Sequence, residues 1–558
     1  MTMVRRRATA DRVLVSALAT TFLLCLYGAT VRQMHPDALA FLPLFAPGKP
    51  PFDPGWFHKP PFYPYCNYVL AVLPLSAAAR ALRLSADVPT TAQIVWSRVL
   101  LAGALLGSAG LVFAITRRAY GTAAARVVAV VFVTSAGMVA FVHQLTADVP
   151  VMWWMLVAFS FADAIARDER TSNYALAGFC TGLAAATKYN GVGVGVAIVV
   201  AHVMRALTAA AGPRTWRAWR AIALDSKLAL GLVMVPVGFV LANPFAILDY
   251  RTFKDDFLYN YMTAPVYEGQ TGHSWGTFFL RIVDLIGAPA FVAFASAGAI
   301  ATWLVVRRRR LSAADATFWS TLAVCALYYV KFAPFPRLET RFVLPIVPFW
   351  MMLSAPCWAR WRRPTTLAAL VGAIVAYNVV CSAWVGARFL ADPRSAAAAW
   401  VREHVRRDAS VEYDIYSPAE KGGRVRAVTM PFVTGRERLF EHVFPGNAFI
   451  NGSDATRPAA EEQVRWYAVD ALTRRAPDYI MIDSLYYDRF VEPGLRSDLY
   501  PSMREYFRAL LAGEVPYRIV FDRRSPPVPA VIYPRAIDFL DNRATIFAKD
   551  TGVSARSR

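Results

Sequence analysis

Asp37 closes the motif Met34-His35-Pro36-Asp37 just beyond the first apolar stretch. Trp56-Phe57-His58-Lys59-Pro60-Pro61 follows in the same polar-aromatic loop, with Tyr63 and Tyr65 next. An acid followed by a proline-stiffened basic segment is costly to keep beside lipid, so a chain that keeps both is read as doing charged chemistry at a membrane surface. Similar groups recur between later apolar stretches. They are His143 and Asp148; Lys188 and Asn190 in Lys188-Tyr189-Asn190-Gly191; Asn243, Asp249, Asp255, Asp256 and His273; and Arg337, Glu339 and Arg341. Most also have a plain structural reading. Asp148 precedes Val149-Pro150 and could cap a helix, Lys188 could snorkel to the interface, and His143 and His273 lack the spacing of metal ligands. Asn451-Gly452-Ser453 fits a glycosylation acceptor, a pattern too short to carry weight.

The elements that must position these groups are membrane helices. The 558 residues are 56% hydrophobic with a mean hydropathy of +0.36, above the roughly 45–50% apolar content of soluble domains. Apolar stretches near residues 13–31, 93–115, 124–142, 149–165, 174–187, 192–204, 228–241, 278–306, 317–331, 341–358 and 366–385 are read as about eleven spans. The shorter ones must extend to reach the ~20 residues that a ~30 Å hydrocarbon core requires. Segment 67–84 is apolar but interrupted by proline and arginine, and is read as a helix lying along the outer interface.

The net charge of +21 is explained by placement and not by nucleic acid. Arg5 to Arg7, Arg117-Arg118, Arg205 with Arg214 to Arg220, Arg307 to Arg310, and Arg360 to Arg363 fall at alternate ends of successive spans. That pattern follows the positive-inside rule and suits anionic headgroups. It puts the N-terminus in the cytoplasm and, with an odd number of spans, the tail outside. The acids and bases named above then share the outer face.

The chain divides into a membrane domain (1–387) and an extracytoplasmic α/β domain (388–558). In the latter, helical periodicity is read at 395–406, 459–474 and 502–511, and strands at 411–416, 424–430, 479–483, 517–521 and 545–548. The six cysteines are dispersed and absent from the tail, so no disulfide framework is read. The basic, apolar start is read as a retained first helix and not as a cleaved leader.

Across the membrane part the chain resembles the GT-C class of polytopic glycosyltransferases, most closely glycosyltransferase family 39. That branch holds protein O-mannosyltransferases and aminoarabinose transferases. The resemblance rests on His35-Pro36-Asp37, His58-Lys59-Pro60-Pro61 with Tyr63 and Tyr65, Ala147-Asp148-Val149-Pro150, the run Gly182 to Gly191 ending in Lys188-Tyr189-Asn190, Asn243-Pro244-Phe245, and Arg341-Phe342-Val343-Leu344-Pro345. Where the family often has Asp-Glu after the first span, this chain has Asp37-Ala38. The second acid is missing, which leaves a divalent metal unsupported, and no residue is assigned as a metal ligand.

The resemblance implies a polyprenyl-phosphate-linked sugar as donor, transfer with inversion, and a multi-pass plasma-membrane enzyme of bacterial type. Asp37 would be the general base that takes the acceptor's proton. Lys59, Lys188 and Arg341 would meet the charge developing on the lipid phosphate, and Asp148 would orient the acceptor or the catalytic loop. His58, Tyr63, Tyr65, Asn190 and Asn243 would line the substrate groove. The sugar stays open, as does the acceptor, whether protein, lipid or glycan. A transporter or flippase of a lipid-linked or polar solute is the competing class. It would place charges near the middle of spans and show paired, broken halves.

Overall fold

In lipid an apolar segment has no water for its amides, so it closes its hydrogen bonds internally as a helix. A computed structural model describes residues 2–33, 38–41, 44, 50–83, 91–208, 215–263, 273–308, 311–336, 338–414, 416, 417, 426–429, 464–493, 495–534 and 540–550. Among the described residues seven helical segments are long and apolar enough to cross a membrane: Thr91–Tyr120, Asp148–Ile165, Tyr189–Thr208, Trp216–Ala242, Ala288–Val306, Thr340–Trp358 and Pro364–His404. An eighth arises if Thr122–Thr134 and Ala136–Gln144 form one span, bent by 47°. At that bend the Ser135 hydroxyl donates to the Val131 carbonyl at 2.8 Å, a side-chain bond that competes with the helical ladder.

These eight overlap eight of the about eleven expected spans. The other three segments, 13–31, 174–187 and 317–331, are helical but fall short by length or hydropathy. The apolar part of the first covers only Arg12–Leu26, Thr171–Thr187 has 17 residues, and Ala313–Phe332 has the length without the hydropathy. Stretch 278–306 is not one helix. It breaks at Gly287 (φ +84°) into Trp275–Ile286 and Ala288–Val306, where a glycine at positive φ precedes a proline in the new helix's first turn. A Cβ on Gly287 would lie 2.8 Å from the Tyr377 ring. Of segment 67–84, residues 67–81 lie on a helical run, Phe62–Asn67 and Leu73–Ala81 joined by a π turn over Tyr68–Val72.

Small residues set the closest helix contact. Gly178 and Gly182, four apart, face Ser226–Ala242. A Cβ on Gly178 would meet the Gly231 carbonyl oxygen at 1.9 Å, one on Gly182 the Val235 oxygen at 2.2 Å, and one on Gly238 the Phe179 oxygen at 2.3 Å. Backbones this close are the geometry that a small-xxx-small pattern permits. Gly178→Ala is therefore expected to destabilise the fold by at least ~1–3 kcal/mol, because the obstacle is backbone and cannot rotate away. Thermal unfolding in detergent should show a lowered Tm; an unchanged value would contradict the contact.

Past residue 404, alternating β-branched and aromatic residues build one five-stranded sheet. The strands are β1 (Ser410–Tyr413), β2 (Arg426–Thr429), β3 (Tyr479–Asp483), β4 (Tyr517–Arg524) and β5 (Arg543–Lys549), in the order β2-β1-β3-β5-β4. β2, β1 and β3 run parallel and β5 and β4 join antiparallel. Helices Pro393–His404, Ser484–Val491 and Pro501–Ala512 lie with this sheet. The chain returns to the long Pro364–Leu390 helix, where Arg388 donates to the Leu540 carbonyl at 2.8 Å and the Tyr377 hydroxyl to Val531 at 2.6 Å.

Where β1 and β3 end, Asp414 and Asp483 are fully buried side by side. The Asp483 amide donates to the Asp414 carboxylate at 2.7 Å, and Asn542 donates to Asp483 at 2.9 Å. Burial raises both acids, Asp414 to about 6 and Asp483 to about 8, the latter against the pull of Arg394 and with repulsion from Asp414. The folded state thus holds protons that an unfolded aspartate, with a pKa near ~3.9, has already released. Linkage makes stability fall as pH rises from about 4 through about 8. Protection of the β3 amides, corrected for the intrinsic exchange rate at each pH, is expected to fall across that window in the wild type and to fall less in Asp483→Asn, where Asp414 alone still titrates. A flat wild-type profile would contradict this.

Candidate active site

Two span ends meet at a buried ion pair. Asp148 lies in the first turn of Asp148–Ile165, after a turn in which Leu145 takes a left-handed conformation (φ +56°). Lys188 follows Thr171–Thr187 in extended backbone (φ −157°), before a 3-10 turn over Tyr189–Gly195 leads into the next helix. The Lys188 Nζ reaches Asp148 Oδ1 at 2.5 Å, with side-chain exposures of 17% and 3%. The other end of Asp148–Ile165 carries Asp163, bound to Arg167 and Thr317, and no charged residue lies between the two acids. At ~1.5 Å per residue they stand about 22 Å apart, one at each end of the span.

Lys188 is also part of a cationic wall. Its Nζ sits 5.1 Å from the centroid of the Phe342 ring, and the Arg341 guanidinium lies 5.5 Å from the same ring. Phe342 stacks on Phe332 at 5.6 Å, and Lys331 lies over Phe332 at 5.5 Å. Aromatic faces attract cations in a partly desolvated site, so three positive groups are held around two rings. Arg341 is restrained by Glu339 at 2.5 Å.

The loop that follows the first helix joins this cluster. The Tyr189 hydroxyl donates to the Phe57 carbonyl at 2.7 Å, the Phe57 amide donates to Asp256 at 2.5 Å, and His58 lies 3.4 Å from the same carboxylate. Lys59 is half-buried next to His58. The Tyr328 hydroxyl donates to the Asn190 carbonyl at 2.9 Å. The side-chain amides of Asn190 and Asn243 and the Tyr63 hydroxyl are buried and make no hydrogen bond among the described residues. Buried polar atoms of this kind are costly unless something satisfies them.

Asp148, Lys188, Asn190, Arg341 and His58 thus gather at one end of the helices. Tyr65 is committed to the Phe52 carbonyl at 2.8 Å. Asp37 and Arg337 lie outside the described residues. The remaining candidates stay apart: Asp255 lies beside Lys254, His273 is exposed beside Trp275, and His143 is buried with its ring stacked on Phe389. Among the described residues no three His, Cys, Asp or Glu side chains come together as a metal ligand set.

Sequence reading passed over Arg98. It lies inside an apolar helix and is fully buried, and its guanidinium donates to the carbonyls of Ala29, Val31, Gln33 and His143 at 2.6–3.1 Å. An arginine in the first turns of a span was the available signal.

Residues 92–239 match the family described as dolichyl-phosphate-mannose-protein mannosyltransferase. No curated protein matches the chain. Among solved structures, ArnT from Cupriavidus metallidurans in the apo state is 13% identical, with 96% of this chain and 98% of that one covered at a TM-score of 0.52. The same protein bound to undecaprenyl phosphate gives 12%, 95%, 97% and 0.50. The chain has the GT-C fold. The GT-C resemblance drawn from the motifs holds, and the matched segment contains Asp148, Lys188 and Asn190, whereas Asp37, Lys59, Asn243 and Arg341 lie outside it.

Proposed function

We propose that this GT-C chain moves a sugar from a polyprenyl-phosphate donor to an acceptor at the outer membrane surface. The observation that carries the reading is the wall formed by Lys188, Lys331 and Arg341 at the span ends, next to the His58-Lys59 loop, in a fold shared with a protein crystallised with undecaprenyl phosphate. An acceptor hydroxyl or amine attacks the anomeric carbon and gives its proton to Asp37. The bond from that carbon to the phosphate oxygen breaks with inversion, and the lipid phosphate leaves with the electron pair. Lys59, Lys188 and Arg341 meet the charge that develops there, and fixed cations in a water-poor site are the largest lever for such a step. Asp148 keeps Lys188 in place. The unsatisfied amides of Asn190 and Asn243 and the Tyr63 hydroxyl suit sugar hydroxyls, which carry both donors and acceptors.

In this reading residues 1–387 form the catalytic membrane domain of a bacterial plasma-membrane protein with a cytoplasmic N-terminus. Residues 388–558 stand outside the cell. A transporter fits less well, because Asp148–Ile165 keeps its charges at its ends.

The test uses purified protein in liposomes, offered polyprenyl-phosphate sugars and, separately, nucleotide sugars. Sugar release or transfer from the lipid-linked donors alone is expected. Use of a nucleotide sugar, or movement of the lipid-linked sugar across the bilayer without cleavage, would replace the proposal.

A further inference from the structure

We infer that Arg98 is a positioning residue that fixes the entry of the loop carrying Asp37; the catalytic half of this inference rests on the function proposed above. A guanidinium is usually buried with a carboxylate, because taking its charge out of water costs several kcal/mol. Arg98 is fully buried, and each hydrogen bond found for it goes to a main-chain oxygen. Three of those oxygens, on Ala29, Val31 and Gln33, belong to the stretch that leaves the first helix. The fourth, on His143, belongs to the helix next door.

That arrangement is a clamp on the main chain. The planar fork of an arginine presents five donors in fixed directions, so one side chain can hold several carbonyls of the turn and the stretch that follows it. His143 meets the same turn, with Nε2 2.8 Å from the Tyr27 carbonyl. Gly28 fits against this pair because its φ of +86° and the 3.2 Å approach of the Gly386 oxygen leave little room for a side chain. Helix Thr91–Tyr120 therefore sets where residues 27–33 run. Asp37 is four residues beyond Gln33 and so at most about 14 Å from it along the chain. A base must stand within hydrogen-bond reach of the proton it takes, and a misplacement of about 1 Å can cost on the order of 10²-fold in rate.

The experiment compares wild type, Arg98→Lys and Arg98→Gln in nanodiscs by hydrogen–deuterium exchange and by turnover of a polyprenyl-phosphate sugar. Lysine keeps the charge and loses the fork; glutamine keeps two donors and loses the charge. Exchange of amides 29–33 is expected to rise about tenfold in both variants, while the rest of Thr91–Tyr120 and the β3 peptide stay as in wild type. In Arg98→Lys, kcat is expected to fall about 10²-fold with the donor KM within about threefold. Unchanged exchange at 29–33, exchange raised evenly over the membrane helices, or failure of both variants to fold would each overturn the inference. If wild type turns over no lipid-linked sugar, the functional proposal fails, and the local exchange still reports whether Arg98 holds the segment.

Discussion

Asp37→Asn is expected to lower sugar transfer by about 10²–10⁴-fold while leaving the melting temperature within a degree or two of wild type. The size is that of removing a general base from a displacement in which the incoming hydroxyl or amine must lose its proton. Asparagine keeps the shape and can still hold a substrate hydroxyl, so the donor KM should change little and the loss should fall on kcat. A loop carboxylate that served only as a solvated or capping group would give a different result, with full turnover in the variant. The neighbouring residue sharpens the test. Where relatives often have a second acid this chain has Ala38, so no adjacent carboxylate stands ready to replace Asp37. Transfer assays on reconstituted wild type and variant, with circular dichroism to verify the fold, decide between the two outcomes.

The second large effect is expected at the Asp148–Lys188 pair. Lys188→Met removes the cation 2.5 Å from a carboxylate that is almost wholly buried. Stranding a buried charge costs about 3–5 kcal/mol, so a lowered Tm should accompany the loss of turnover, about 10²–10³-fold for a fixed donor aimed at the leaving phosphate. Asp148→Asn is expected to be milder in stability, because Lys188 is the more exposed partner and can turn toward water. The double variant Asp148→Asn/Lys188→Met separates structure from chemistry. With both charges gone, most of the lost Tm should return, while activity should stay low because the phosphate has lost its cation. Return of activity with stability would make the pair a purely structural tie.

Part of this protein is local enough to be read from the chain. Apolar length and basic flanks locate helices because a buried backbone in lipid must bond to itself, and the seven helices that meet both length and hydropathy each overlap a stretch identified that way. Alternation located the five strands, since period two is a property of neighbouring residues. Asp148, Lys188 and Arg341 stood out because charge at the end of an apolar run is rare.

What is not local could not be read. The tight Gly178–Gly231 contact needs two helices brought together by packing. The pairing of Asp148 with Lys188 spans 40 residues, and the shared Phe342 ring adds a third, distant segment. Arg98 is the clearest case. By itself it is one charge in an apolar helix, and its role comes from carbonyls up to 69 residues away. The sequence determined which segments are apolar enough to form membrane helices and which residues can carry charge at their ends. Tertiary structure decided which of those charges face each other and which backbone they hold, because side-chain pairing over such separations is set by how the helices pack and not by any local pattern.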